Sequence, residues 1–142
     1  MEIGARYMSV RNPAPAEPFD LPLDPHSGAA HDGWRIEPNA AAENGLLSAR
    51  IHYQHGERLR ARSYRPGDRM VPVGKTRETK LKDLFDANRI CREIRSRVPV
   101  IADDAGPIWV PGVAIAARSR HESGPESAVC LQFRPESTDS TV

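Results

Sequence analysis

The residues best equipped for chemistry in this chain are cations, and they are crowded together. Thirteen of the twenty Lys and Arg residues fall within 57–97, against six acids. That segment therefore carries about +7, while the whole chain is +1 and the remainder is near −6. A basic face of this density neutralises phosphates, as nucleic-acid-binding surfaces do. The candidate RNA contacts are Arg65, Arg69, Lys75, Arg77, Lys80, Lys82 and Arg95.

Local elements must aim these cations. Arg65-Pro66-Gly67-Asp68-Arg69 has the composition of a type II turn, because Pro66 presets φ near −65° and Gly67 can take positive φ. The two flanking arginines would then project from one rim. After Gly74, residues 75–80 lead into a helix whose Leu81, Leu84 and Phe85 form a narrow apolar stripe at i, i+3 and i+4. Thr76 or Thr79 is the expected N-cap, and Asn88 the expected stop. Cations around a helix start, with its free N–H groups, would make a phosphate cradle. The plainer alternative is a solvated basic helix start without a ligand.

Other chemistries fit less well. Gly74-Lys75-Thr76 ends like a P-loop, but the pattern needs glycine at 69, where Arg69 stands. His26, His31, His52, His55 and His121 lack the Cys or carboxylate partners of a tetrahedral metal set, and exposed loop histidines are expected. Asp103 and Asp104 read as solvated turn acids rather than a catalytic pair. Trp109, in Ile108-Trp109-Val110, reads as core rather than as a stacking platform for bases. Cys91 and Cys130 form no CxxC and are expected as free thiols.

The rest of the chain is the scaffold. Residues 1–18, with Pro13, Pro15 and Pro18, read as an irregular tail, and 136–142 as a polar tail, leaving 19–135 as one domain. Residues 19–23 suggest an extended edge segment, and 24–33 a loop of turn formers. Alternation predicts strands at 34–37, 47–53 and 57–64, the last two joined by a hairpin at His55-Gly56. Along 57–64, Arg58, Arg60 and Arg62 would form a cationic ladder opposite Leu59, Ala61 and Ser63. Such a ladder repels itself unless an anion or carboxylate is near, Glu57 and Asp68 being the candidates. Further strands are expected at 98–102, 107–110 and 128–133, with a turn over 103–106. The fold class is α+β: a small, mostly antiparallel sheet with one main helix.

No run of eighteen apolar residues could span a membrane, and the N-terminus lacks a signal-peptide pattern, so a cytoplasmic location is expected. Aromatics make up only 6% of the chain, which leaves few stacking platforms.

Taken in order, RPGDR, a Gly-Lys tract, KLKDLF with Ile90 beyond it, RSRVPV and IWVPG resemble the C-terminal domain of tRNA(Ile)-lysidine synthase. The match is most specific over 64–112. Upstream, PFDLPL and GWRIE resemble the preceding strand region, and 129–135 resembles the closing strand. Arg92 stands near a proline of the family pattern, and Val98 replaces its usual Trp. The resemblance implies a fold similar also to a domain of the phenylalanyl-tRNA synthetase β subunit. It implies a tRNA-gripping role near the acceptor stem of isoleucine tRNA. In that family, ATP-dependent lysidine formation on the wobble cytidine belongs to a PP-loop domain carrying SGGxDS. No such motif occurs in these 142 residues. The chain is therefore expected to bind no cofactor itself, ATP and Mg belonging to a PP-loop domain, and to make no lysidine alone. A separate PP-loop subunit is a candidate partner, and self-association is left open. The alternative is a relic or protein-interaction domain whose basic face meets an acidic partner.

Overall fold

Strand-forming alternation is carried into the fold at Trp34–Pro38 (β3), where Trp34 and Ile36 point into the core and Arg35 faces out. The structure is a computed structural model and describes residues 18–31, 33–38, 47–52, 58–118 and 128–135. Three antiparallel sheets are present among them.

The first sheet has five strands: Asp20–Pro22 (β1), Arg60–Arg62 (β5), Val100–Asp103 (β8), Gly106–Val110 (β9) and Ala114–Ile115 (β10), in the order β1-β5-β8-β9-β10. β1 is an edge strand, a place that suits its Pro22, because proline gives no N–H to a second neighbour. The expected 103–106 turn joins β8 to β9, with Asp103 Oδ1 accepting the N–H groups of Ala105 and Gly106 at 2.9 and 3.1 Å. Pro107 opposes Ala102 where the register shifts, an irregularity that suits a residue without a donor.

The second sheet has the order β2-β3-β11-β4, adding Ala29–His31 (β2), Ser48–His52 (β4) and Ala128–Pro135 (β11). The third is the small hairpin of Arg69–Met70 (β6) and Thr79–Lys80 (β7). Two helices follow among the described residues: Leu81–Ala87 (α1) and the single turn Arg92–Arg95 (α2). None is long and apolar enough to cross a membrane. The fold is the small antiparallel-sheet domain with few helices that the sequence indicates.

One apolar cluster ties the elements together. Trp34, Ile36, Ile51, Leu131 and Phe133 of the second sheet join Ala61, Val100, Ile101, Ile108 and Trp109 of the first, with Leu81, Phe85, Ile90 and Ile94 from the helical segment. Phe19 bridges the sheets, stacking on His31 (4.5 Å between centroids) and lying 5.7 Å from Trp34.

Several local expectations are corrected. The strand expected over 57–64 is ordered as a strand only at Arg60–Arg62, and it lies in a different sheet from β4. The two are therefore not hairpin partners; β4 pairs with β11 instead, and the His55-Gly56 turn lies outside the described residues. Part of the expected 24–33 loop is β2, whose short sequence gives too little alternation to read. His31 is half-buried against Phe19 rather than an exposed loop residue. Neither Thr76 nor Thr79 caps α1. Thr79 belongs to β7, which runs directly into the helix, and Lys80 sits at the cap without a side-chain hydrogen bond. Asn88 does stop α1, its side-chain amide donating to Leu84 O at 2.8 Å.

Candidate nucleic-acid interface

The basic segment divides at Asp68. Residues 65–68 form the expected turn: Asp68 N–H donates to Arg65 O at 3.0 Å, and Gly67 has φ 95°, the sign that the third residue of a type II turn demands. The Asp68 carboxylate takes the Arg65 N–H at 2.8 Å and a bidentate pair of bonds from Arg62, both at 2.9 Å. Its backbone carbonyl accepts the N–H of Leu81, the first residue of α1, at 2.9 Å. One residue thus fastens the turn to β5 and to the helix. Arg62 and Asp68 retain only 9% and 10% of their side-chain exposure. Buried this way, each charge needs the other, and removal of either would leave an uncompensated ion.

The ladder of Arg58, Arg60 and Arg62 is therefore not a row of free cations. Arg62 turns inward onto Asp68, one of the two partners expected for it, and Arg60 bonds Asp20 through both the carboxylate and the backbone carbonyl. Asp20 also receives Arg65 at 3.0 Å. The hydrogen bond from Arg60 is the main reason that the Asp20 carboxyl lies below the usual range, and the charges of Arg60 and Arg65 add to it. Beside this pair, an open groove of about 410 Å³ runs between Phe19, Tyr64 and Ser96. Its charged lining groups, Asp20 and Arg65, neutralise each other.

The hairpin beyond Asp68 is different. A second turn, residues 72–75, closes with Lys75 N–H on Pro72 O at 3.0 Å and places Gly74 at φ 86°. The loop is held from behind by Val73 N–H to Ile115 O (3.0 Å) and by Ala117 N–H to Val71 O (2.8 Å). The strand register sets Arg69 opposite Lys80, so two like charges share one face of the hairpin. Glu78, 3.6 Å from Arg69, offsets part of that repulsion. Lys75, Arg77, Lys80 and Lys82 are exposed and form no ion pair among the described residues. They stand on a loop and helix start whose backbone is fixed, so an anion meeting them finds cations already gathered.

The helix start itself offers less than the sequence suggests, because α1 has seven residues and its first N–H is already bonded to Asp68 O. Arg95 is also placed apart from the exposed cations. Its guanidinium donates to Ile90 O (2.8 Å) and Asp86 (2.6 Å), and it lies over the Phe85 ring at 5.4 Å. With 12% of its side chain exposed, Arg95 braces α1 against α2. That bond is the chief cause of the lowered Asp86 carboxyl pKa, with Lys82 and Arg92 contributing their charge. Arg89 and Arg92, outside the expected contacts, are also exposed; their signal in the sequence is the basic tract that continues past Asn88. Among the described residues, no cluster of three or more His, Cys, Asp or Glu is placed to hold a metal ion.

This arrangement can be set beside known proteins. Residues 59–131, just over half of the chain, match the family described as the TilS substrate C-terminal domain. The chain belongs to that family. Curated relatives include the tRNA(Ile)-lysidine synthases of Geobacter sulfurreducens, 34% identical over 73 residues, and Geobacillus kaustophilus, 39% identical over 77. These alignments cover 51% and 54% of this chain, but only 16% and 17% of the relatives. A bifunctional TilS/HprT protein of Listeria monocytogenes is 40% identical over 68 residues, 47% of this chain and 10% of that protein. A crystal structure of a TilS C-terminal domain superposes with a TM-score of 0.65 at 25% identity, covering 86% of this chain and all of that one. The matched span takes in the Asp68 frame, the hairpin and both helices. The chain is thus a lysidine-synthase-related module.

Proposed function

We propose that this module grips tRNA, with the β6–β7 hairpin and the start of α1 as its contact surface and Arg69, Lys75, Arg77, Lys80 and Lys82 as its phosphate contacts. The observation that carries the reading is the division of the basic segment. Arg60, Arg62, Arg65 and Arg95 are matched by carboxylates of the chain, whereas Lys75, Arg77, Lys80 and Lys82 stand exposed without an ion pair among the described residues. Like charges gathered on one fixed surface, Arg69 facing Lys80, are stabilised by an external polyanion. Arg65 lies at the edge of this surface, and its pairing with Asp20 leaves it a secondary contact. Arg95 acts by positioning.

The aromatic residues favour a duplex over unpaired bases. Phe19, Trp34, Phe85, Trp109 and Phe133 are buried, so these rings offer no stacking platform, and phosphate and shape contacts remain. The relatives' name supplies tRNA(Ile) as the substrate, and the acceptor stem is the duplex this reading assigns to the chain. Lysidine chemistry, with its ATP and Mg, is assigned to a PP-loop domain acting with this module in the cytoplasm.

The test is a titration of the purified chain with isoleucine tRNA, a duplex RNA and a single-stranded RNA over a salt series, with and without a PP-loop partner. Tight, salt-steep binding to tRNA and duplex is expected. Failure to bind either at low salt, with capture of an acidic protein instead, would favour the protein-interaction alternative.

A further inference from the structure

Helix α1 ends in a Schellman arrangement. Ile90 N–H donates to Phe85 O at 3.0 Å, Arg89 N–H donates to Asp86 O at 3.1 Å, and the buried Ile90 side chain closes over the helix end. This geometry requires the residue between Asn88 and Ile90 to adopt left-handed backbone. Arg89 does so, at φ 57°; every other positive-φ position among the described residues is glycine. Left-handed backbone crowds a Cβ against its own carbonyl, and glycine is the usual occupant of this cap position. Local stability alone would select glycine here.

The residue present is instead an arginine, exposed and without an ion pair among the described residues. None of the acids on the two flanking helices forms an ion pair with it among the described residues. Asp86, the acid three residues before it, is held by Arg95 at 2.6 Å and already feels Lys82 and Arg92. Asp83 and Glu93 are exposed acids on the two helices that flank the connector, one on each side.

We propose that Arg89 is a phosphate-contacting residue that extends the RNA surface from the hairpin across the connector between α1 and α2. The inference rests on the RNA-binding reading above. A guanidinium can engage a phosphate through two N–H groups at once, and the cap holds its backbone in one place before the ligand arrives. Backbone strain retained at an exposed cation fits a binding role better than a packing one.

Arg89→Gly, Arg89→Asn and Arg89→Lys in the full chain test it, by isoleucine tRNA binding over a salt series and by thermal melting. Arg89→Gly should raise the melting temperature by roughly 2–4 °C, because glycine relieves the strained backbone. The same variant should weaken tRNA binding about four- to sixfold at 0.15 M salt and make the log–log slope shallower by about 0.7–0.9, the loss of one phosphate contact. Arg89→Asn should lose affinity to the same extent, and Arg89→Lys should keep most of it. Opposite signs in stability and affinity would not arise from a residue that only packs. An Arg89→Gly chain that binds tRNA with the parent's affinity and salt slope overturns this inference and leaves the RNA reading standing. A parent chain that binds no tRNA at low salt overturns both.

Discussion

The frame at residues 60–68 and the hairpin at 69–82 draw on the same residue type for opposite ends. In the frame, Arg62 is buried against Asp68, while Arg60 and Arg65 converge on Asp20. Every one of those guanidinium groups is answered by a carboxylate of the chain itself. In the hairpin, Arg69 faces Lys80 across two strands, and Lys75, Arg77 and Lys82 stand exposed without an ion pair among the described residues. A basic run in sequence therefore does not amount to a basic surface in the fold. Part of the charge is architecture that holds the rest in position. The frame's contribution to RNA binding is indirect: Asp68 fixes the start of α1 and the exit of the turn, and thereby the base of the hairpin.

The comparison is broken most forcefully at the residues that join the two regions. Asp68→Ala leaves the buried Arg62 guanidinium without its carboxylate, with only the Ser63 carbonyl still accepting from it, and should cost about 3–5 kcal/mol of stability. Phe85→Ala should cost a similar amount, about 3–5 kcal/mol, because its ring is fully buried, meets Tyr64 edge-on at 5.4 Å and supports Arg95. Urea unfolding measures both. A variant of either kind that unfolds at the parent's midpoint would mean that the frame does not hold the fold.

The hairpin cations should behave in the reverse way. Lys75→Ala and Arg77→Ala replace exposed side chains and should change stability by less than about 0.5 kcal/mol. Each should weaken tRNA binding about four- to sixfold at 0.15 M salt and make the salt slope shallower by about one contact. Parallel salt lines for the parent and Lys75→Ala would remove Lys75 from the contact surface. The contrast with Asp68→Ala, which harms stability first, is what separates a contact from a frame.

Much of this division could be read from the chain and some could not. The 65–68 turn was legible because Pro66 and Gly67 have local backbone preferences that need no tertiary partner. The apolar stripe of α1 and its stop at Asn88 were legible for the same reason, and Trp109 in a core strand followed from its apolar neighbours. The sheet assignments of β4 and β5 were not, because alternation indicates a strand but not its neighbour. The pairing of Arg62 with Asp68 was open to the sequence as one of two alternatives, but the bracing role of Arg95 was hidden. Whether an arginine faces solvent or a carboxylate depends on contacts such as Asp68 and the Ile90 carbonyl, which are made only once the chain has folded. The N-cap was misread because Thr79 satisfies a local rule that the β7 pairing overrides.

A smaller effect sharpens the comparison from outside the basic run. Arg118 clamps Asp103 through two bonds, at 2.7 and 2.8 Å, at the turn between β8 and β9. This hydrogen-bonded pair is the main reason that the Asp103 carboxyl lies below its ordinary value of 3.8, and the Ala105 and Gly106 N–H groups pull it the same way. A carboxyl whose folded pKa is depressed stabilises the fold above its unfolded pKa, and that stabilisation is lost as pH falls through the folded value. The stability difference between the parent and Arg118→Ala should thus be constant from neutral pH down to about pH 5 and shrink below about 3.8, toward the depressed folded pKa. Because Arg118 is half exposed, water screens the pair, and the neutral-pH difference should be no more than about 1 kcal/mol. Affinity for tRNA should not change, since Arg118 is engaged by Asp103 and by the Gly106 carbonyl and stands outside the hairpin. Denaturant melts at pH 7, 5 and 3, with one tRNA titration at pH 7, decide the matter. A stability gap that widens on acidification would contradict the pairing, and a loss of tRNA affinity matching that of Lys75→Ala would move the boundary of the contact surface to include this corner of the sheet.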